Sequence, residues 1–139
     1  MRMKPCLTAD DARRILHAAR VEAERHQWNV TIAVVDDGGA LLTLERMDGA
    51  FPQTAEIAAR KAWTAAAVRA PTKALEDMIV ERPALVGFPG QLRVQGGLPI
   101  LVGGECVGAV GVSGVASRDD EQVARAGVEA LAGTEAPAS

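Results

Sequence analysis

With 139 residues, 48% of them hydrophobic and 24% charged, the chain has the make-up of one globular domain with a core, not of a disordered segment. Its net charge of −3 supplies no basic footprint for nucleic acid, and no apolar run approaches the roughly 18 residues of a membrane span. Cys6 and Cys106 are too few and too far apart for a disulfide framework or a thiolate metal motif, so both are expected as free thiols.

The basic start, Met1 to Lys4, runs into Pro5 and a polar helix instead of the apolar stretch of a signal peptide, which predicts a cytoplasmic protein. Thr8 with Asp11 predicts a capped helix start. Ala12, Ile15, Leu16, Ala19 and Ala23 then form one apolar stripe ending near His26. Val30 to Val35 reads as a strand covered on both faces, and Asp36-Asp37-Gly38-Gly39 turns it into a return strand over 40–46. After the loop 47–52, the Ala-rich stretch 53–69 is a strong helix former. Pro71 breaks it, and Thr72 is expected to cap a short helix through about Val80. Pro83, Pro89 and four glycines make 83–97 mostly loop, with room for one extra strand inside 84–95. A second hairpin follows, 98–102 and 106–112 around Gly103-Gly104. Ser117 with Asp120 is expected to cap a last helix with the stripe Val123, Gly127, Ala130 and Leu131. Hairpins separated by helices point to an α+β chain, an antiparallel sheet sandwiched by helices. The domain is expected to span 7–132, with 1–6 and 133–139 as flexible termini.

Several motifs can be set aside. Gly108, Gly111 and Gly114 lie three apart along a strand and do not open a helix. Gly103 and Gly108 have the phosphate-loop spacing, but Ala109-Val110 occupy the Lys-Ser/Thr positions. Gly111-Val112-Ser113-Gly114 fails as a nucleophile elbow at Val115. Two histidines nine residues apart give no protein-only zinc site, and no metal is expected.

The residues with chemistry to offer fall in three places. On a 100° projection of the second helix, Lys61 falls among Thr54, Ile57, Ala58, Ala65 and Val68, facing the sheet. Two readings stay open: half of a buried ion pair, with Asp36 or Asp48 as partner, or a pocket cation for an anionic ligand. Arg46 and Asp48 close the second strand beside Gly49, where Arg46 would clamp a carboxylate and Asp48 would move a proton. Gly96 and Gly97 before Pro99 would let backbone approach a flat ligand. His17 projects off the apolar stripe, and His26 sits where a cation suits the helix dipole.

Together these segments resemble the small-protein family that includes GlcG, the HbpS haem-binding proteins and the C-terminal domain of PduO. The resemblance rests on Leu7-Thr8, Ala33-Val34-Val35-Asp36 with Gly38-Gly39, Arg46-Met47-Asp48-Gly49-Ala50, Lys61-Ala62 with Thr64-Ala65-Ala66, Gly96-Gly97 with Pro99-Ile100, and Val107-Gly108-Ala109 through Gly114. It implies a five-stranded antiparallel sheet flanked by helices on both faces, a profilin-like or PAS-like α-β-α sandwich, assembled as a homo-oligomer. It also implies haem or a related tetrapyrrole as ligand. Lys61, Arg46 or Arg93 would then meet the propionates, and His17 and His26 are the candidate axial ligands. Two other readings are a cofactor-independent catabolic enzyme (isomerase, lyase or hydrolase) acting on a small carboxylic acid, and a non-catalytic accessory or sensor subunit. Few aromatics (Phe51, Phe88, Trp28 and Trp63) and many small residues limit what one chain buries, which also predicts subunit contacts.

Overall fold

A computed structural model describes residues 1–131 and the backbone of the pair Thr134–Glu135. Helix α1 (Ala9–Arg25) begins with the reciprocal cap that Thr8 and Asp11 predict: each side chain takes the other's backbone N–H, at 3.1 and 2.9 Å. Its five stripe residues, Ala12, Ile15, Leu16, Ala19 and Ala23, are all buried. Strands β1 (Thr31–Asp36) and β2 (Leu41–Arg46) pair antiparallel. Their turn is tied by the Asp36 carboxylate, which accepts from the N–H groups of Gly38 and Ala40. Helices α2 (Gln53–Val68) and α3 (Thr72–Glu81) follow, then β3 (Gly97–Val102), β4 (Glu105–Ser113) and α4 (Ser117–Glu129).

The body of the sheet is four-stranded and antiparallel, in the order β2-β1-β4-β3. The strand expected inside 84–95 does not form: Pro83–Gly87 is a 3-10 turn and the rest is loop. Beyond β3 lies only the two-residue bridge Thr134–Glu135, opposite Val102 and Leu101. Those two residues belong to the tail expected to be flexible; residues 133 and 136–139 of that tail lie outside the described residues. At the other terminus, Arg2 and Lys4 pair with Glu105 and Asp37.

Both faces of the sheet are covered. Helices α1 and α4 bury Ile15, Leu16, Val123 and Val128 against Ile32, Val34, Leu98, Ile100, Val110 and Val112. On the opposite face α2 lays Ala58, Ala62, Ala65 and Ala66 on Ala33, Val35 and Ala109. The approach there is close because Gly97 and Gly111 are cross-strand partners. A Cβ on Gly111 would stand 2.1 Å from the Ala58 carbonyl oxygen, and one on Gly97 would stand 2.4 Å from that of Lys61. This bare patch fixes where α2 rests, and with it the position of Lys61.

Two expected caps are different in fact. Thr72 is the first residue of α3, and its hydroxyl accepts from the Gly97 N–H at 2.9 Å. Ser117 makes no cap for α4, because Asp120 turns inward. The buried face of α4 is Asp120, Glu121, Val123, Ala124, Gly127 and Val128; Ala130 is exposed and Leu131 half-buried.

Candidate functional site

Asp120 turns toward Lys61. The ammonium of Lys61 reaches past the end of the sheet, donating to the Val112 carbonyl at 2.9 Å and to the Asp120 carboxylate at 3.1 Å. Both side chains are only 3% exposed. The other oxygen of Asp120 accepts from the Val115 N–H at 3.0 Å. Burial pushes the Asp120 carboxyl above its ordinary range, and the Lys61 charge with the Val115 N–H opposes that. One pair thus ties together α2, the end of β4 and the start of α4. Of the two readings of Lys61, the geometry favours the ion pair. Neither expected partner is involved: Asp36 is engaged in its own turn, and Asp48 is exposed.

Gly96 and Gly97 lie against this lysine, a Cβ on Gly96 falling 2.7 Å from its nitrogen. Pro99 is buried in β3, where no outer strand asks for its missing N–H, since only Leu101 and Val102 are bridged on that side. Arg46 and Asp48 are exposed at the end of β2. Arg46 pairs in register with Thr31, and Thr31 with Ser113, so Arg46 is at the same end of the sheet. Two strand spacings, roughly 10 Å, still separate β2 from the β4 carbonyl that holds Lys61. Arg46 and Lys61 are therefore not brought together around one small carboxylate.

Arg93 sits in the loop before β3 with its guanidinium 4.9 Å from the centre of the Phe88 ring. Its Nε is buried without a hydrogen-bond partner, as is the Oε1 of Gln91 two residues earlier. Sequence reasoning missed Gln91 and Asp120. An aspartate in the first turn of a helix carries the same signal whether it caps or faces inward, and an isolated Gln in a loop carries none.

His17 and His26 are both exposed on α1 or its end, across the sheet from α2. His26 stacks on Trp28 and its Nε2 contacts Glu22 and Gln122 at 3.1 and 3.2 Å. One hollow, of about 360 Å³, opens between Leu41, Val35, Ala59, Arg60 and Trp63. Another, of about 260 Å³, lies at the sheet end between Trp28 and Phe51. Among the described residues no group of three or more His, Cys, Asp or Glu side chains is placed to hold a metal ion, and no helix is long and apolar enough to cross a membrane.

Residues 7–129 match the model of a family described as haem degrading protein HbpS-like. The chain belongs to the HbpS-like family. GlcG from Escherichia coli strain K12 is 45% identical over 114 residues, which are 81% of this chain and 85% of that one. A double mutant of HbpS from Streptomyces reticuli superposes with a TM-score of 0.87 at 40% identity, over 94% of this chain and 90% of that one. A PduOC–haem complex superposes with a TM-score of 0.85 at 28% identity, over 94% and 99% of the two chains. The family that the motifs resemble is thus the one to which the chain belongs.

Proposed function

We propose that this HbpS-like domain, residues 7–132, binds haem or a related tetrapyrrole as a homo-oligomer in the cytoplasm. The observation that carries the reading is the PduOC–haem complex, whose fold this chain shares over 94% of its length. Two sets of residues support such a ligand. Arg93 and Gln91 hold buried polar atoms that lack partners, and an unpaired buried polar group costs roughly 1–3 kcal/mol until something pairs it. Leu41, Val35, Ala59 and Trp63 offer an apolar wall. Arg93, with Arg46 at the far margin, would meet propionates, while Lys61 keeps the sheet end in place. Haem would supply a redox-active iron; the chain's own part is to seat the macrocycle and exclude water.

Size favours an oligomer. Pockets that enclose even drug-sized ligands run to roughly 300–1,000 Å³, and the larger hollow, about 360 Å³, is open. A tetrapyrrole would therefore be covered by a second copy, whose exposed His17 is the better axial candidate because His26 already contacts Glu22 and Gln122. Free thiols at Cys6 and Cys106 suit a reducing compartment. Titration with hemin is expected to give a saturable Soret shift at a fixed ratio per subunit, with Arg93→Ala weakening it about tenfold, as for loss of one charged hydrogen bond. A non-saturating drift would remove the proposal.

A further inference from the structure

The end of the sheet that Lys61 and Asp120 brace holds a hollow that the haem reading leaves unused. Three loops converge there: α1 to β1, β2 to α2, and β4 to α4. Each contributes a residue with positive φ: Gln27 at 59°, Gly49 at 90° and Gly114 at 153°. Gln27 is one of two non-glycine residues with positive φ among those described, and such conformations persist where the surroundings hold them. The two glycines bring the loops into contact. A Cβ on Gly49 would stand 2.7 Å from the Asn29 amide nitrogen, and one on Gly114 would stand 2.5 Å from the Asn29 carbonyl oxygen. Asn29 is thus clamped from both sides.

The walls are aromatic and already oriented. One face of Trp28 is covered by the His26 ring, 4.3 Å away and 17° from parallel. His26 is itself held by Glu22 and Gln122, which also bond each other at 2.7 Å. The indole also packs partly against the α1–α4 core and lines the hollow. Phe51, on the other side, is 72% exposed. The Thr54 hydroxyl donates to the Phe51 carbonyl at 2.6 Å, which anchors the loop while the ring stays in water. Val115 forms part of the floor and is fixed by Asp120. No lining residue is charged; its polar side-chain groups are the amides of Gln27 and Asn29 and the indole N–H of Trp28. The adjoining Asp48 is an acid, which disfavours anions.

We infer that this hollow is a second binding site, for a neutral, flat aromatic molecule of one or two rings that carries an amide-like hydrogen-bonding edge. Its volume, about 260 Å³, suits a ligand of one or two rings. A ring lodged between Trp28 and Phe51 would contact both aromatics, and the Asn29 and Gln27 amides would read the polar edge.

The probe is benzamide, with benzoate as its ionised counterpart. In a Trp63→Phe background Trp28 is the remaining tryptophan, and its indole N–H resonance reports directly on the wall. Benzamide is expected to shift that resonance saturably, with benzoate at least tenfold weaker. Phe51→Ala, a change at an exposed ring that leaves the melting temperature in place, is expected to weaken benzamide at least tenfold. A shift that stays linear with concentration, equal binding of the two probes, or unchanged binding in Phe51→Ala would overturn the inference. Hemin binding is read separately by its Soret band, so the two sites fail or stand independently.

Discussion

At Lys61, a charge has been taken out of water, and the surroundings decide whether that is tolerable. Val112 and Asp120 supply two of its three donors with acceptors, and Asp120 gains a backbone N–H in return. Removing one partner leaves the other buried and uncompensated, which costs about 3–5 kcal/mol. Lys61→Ala and Asp120→Ala are each expected to destabilise by that amount in denaturant titrations. The double change Lys61→Met with Asp120→Leu is expected to recover most of it, because apolar replacement of a whole buried pair is often neutral. Equal and additive losses would show that the two groups do not interact. The projection of α2 placed Lys61 on the buried face without help from any structure. Its partner lies 59 residues away, and nothing local in sequence marks a pairing across that distance. Gly97→Ala tests the bare patch under α2: its methyl would meet the Lys61 carbonyl oxygen at 2.4 Å, and overpacking of that kind costs about 1–3 kcal/mol.

Among the elements, α1 was the most legible because its determinants are local: a cap three residues long and a stripe of period 3.6. Thr8→Ala is expected to cost about 0.5–2 kcal/mol, seen as a lower denaturation midpoint at unchanged m. The segment 84–95 was the least legible. Its prolines and glycines leave no period to read, and the loop is held instead by tertiary contacts such as the Leu92 N–H to the Thr64 hydroxyl, 2.9 Å. The far end of α1 carries a pH dependence. Gln122 foremost, with Arg25 and His26, holds the Glu22 carboxyl below its ordinary value of 4.5. Between the lowered value and 4.5 the unfolded chain binds more protons than the folded one, so stability rises with pH there. The contribution is present above 4.5 and is lost as pH falls through the lowered value. Emission of Trp28 in the Trp63→Phe background is expected to change in that acid range as the bracket on His26 opens, and Glu22→Gln is expected to remove that component. An identical acid transition in both proteins would count against the bracket.

For the whole molecule, the two faces of the sheet are unequal. The α1–α4 side is packed with Ile, Leu and Val, whereas the α2 side is built from six alanines of the sheet and helix packed around Val35. Alanine removes little area from water, so this side contributes less at about 25 cal/mol per Å². The same side leaves Leu41 55% and Trp63 38% exposed beside the larger hollow. Among the described residues, strand β2 ends the sheet there with an unpaired edge, a feature that native proteins cover or charge. A second copy seated on this side would supply the missing area and close the hollow. Light scattering at micromolar concentration is therefore expected to give at least a dimer, with a melting temperature that rises with protein concentration. Leu41→Lys is expected to lower the mass toward that of one chain and to remove the concentration dependence. A protein that stays monomeric and stably folded across concentrations would refute subunit pairing, and with it the tetrapyrrole site shared between copies.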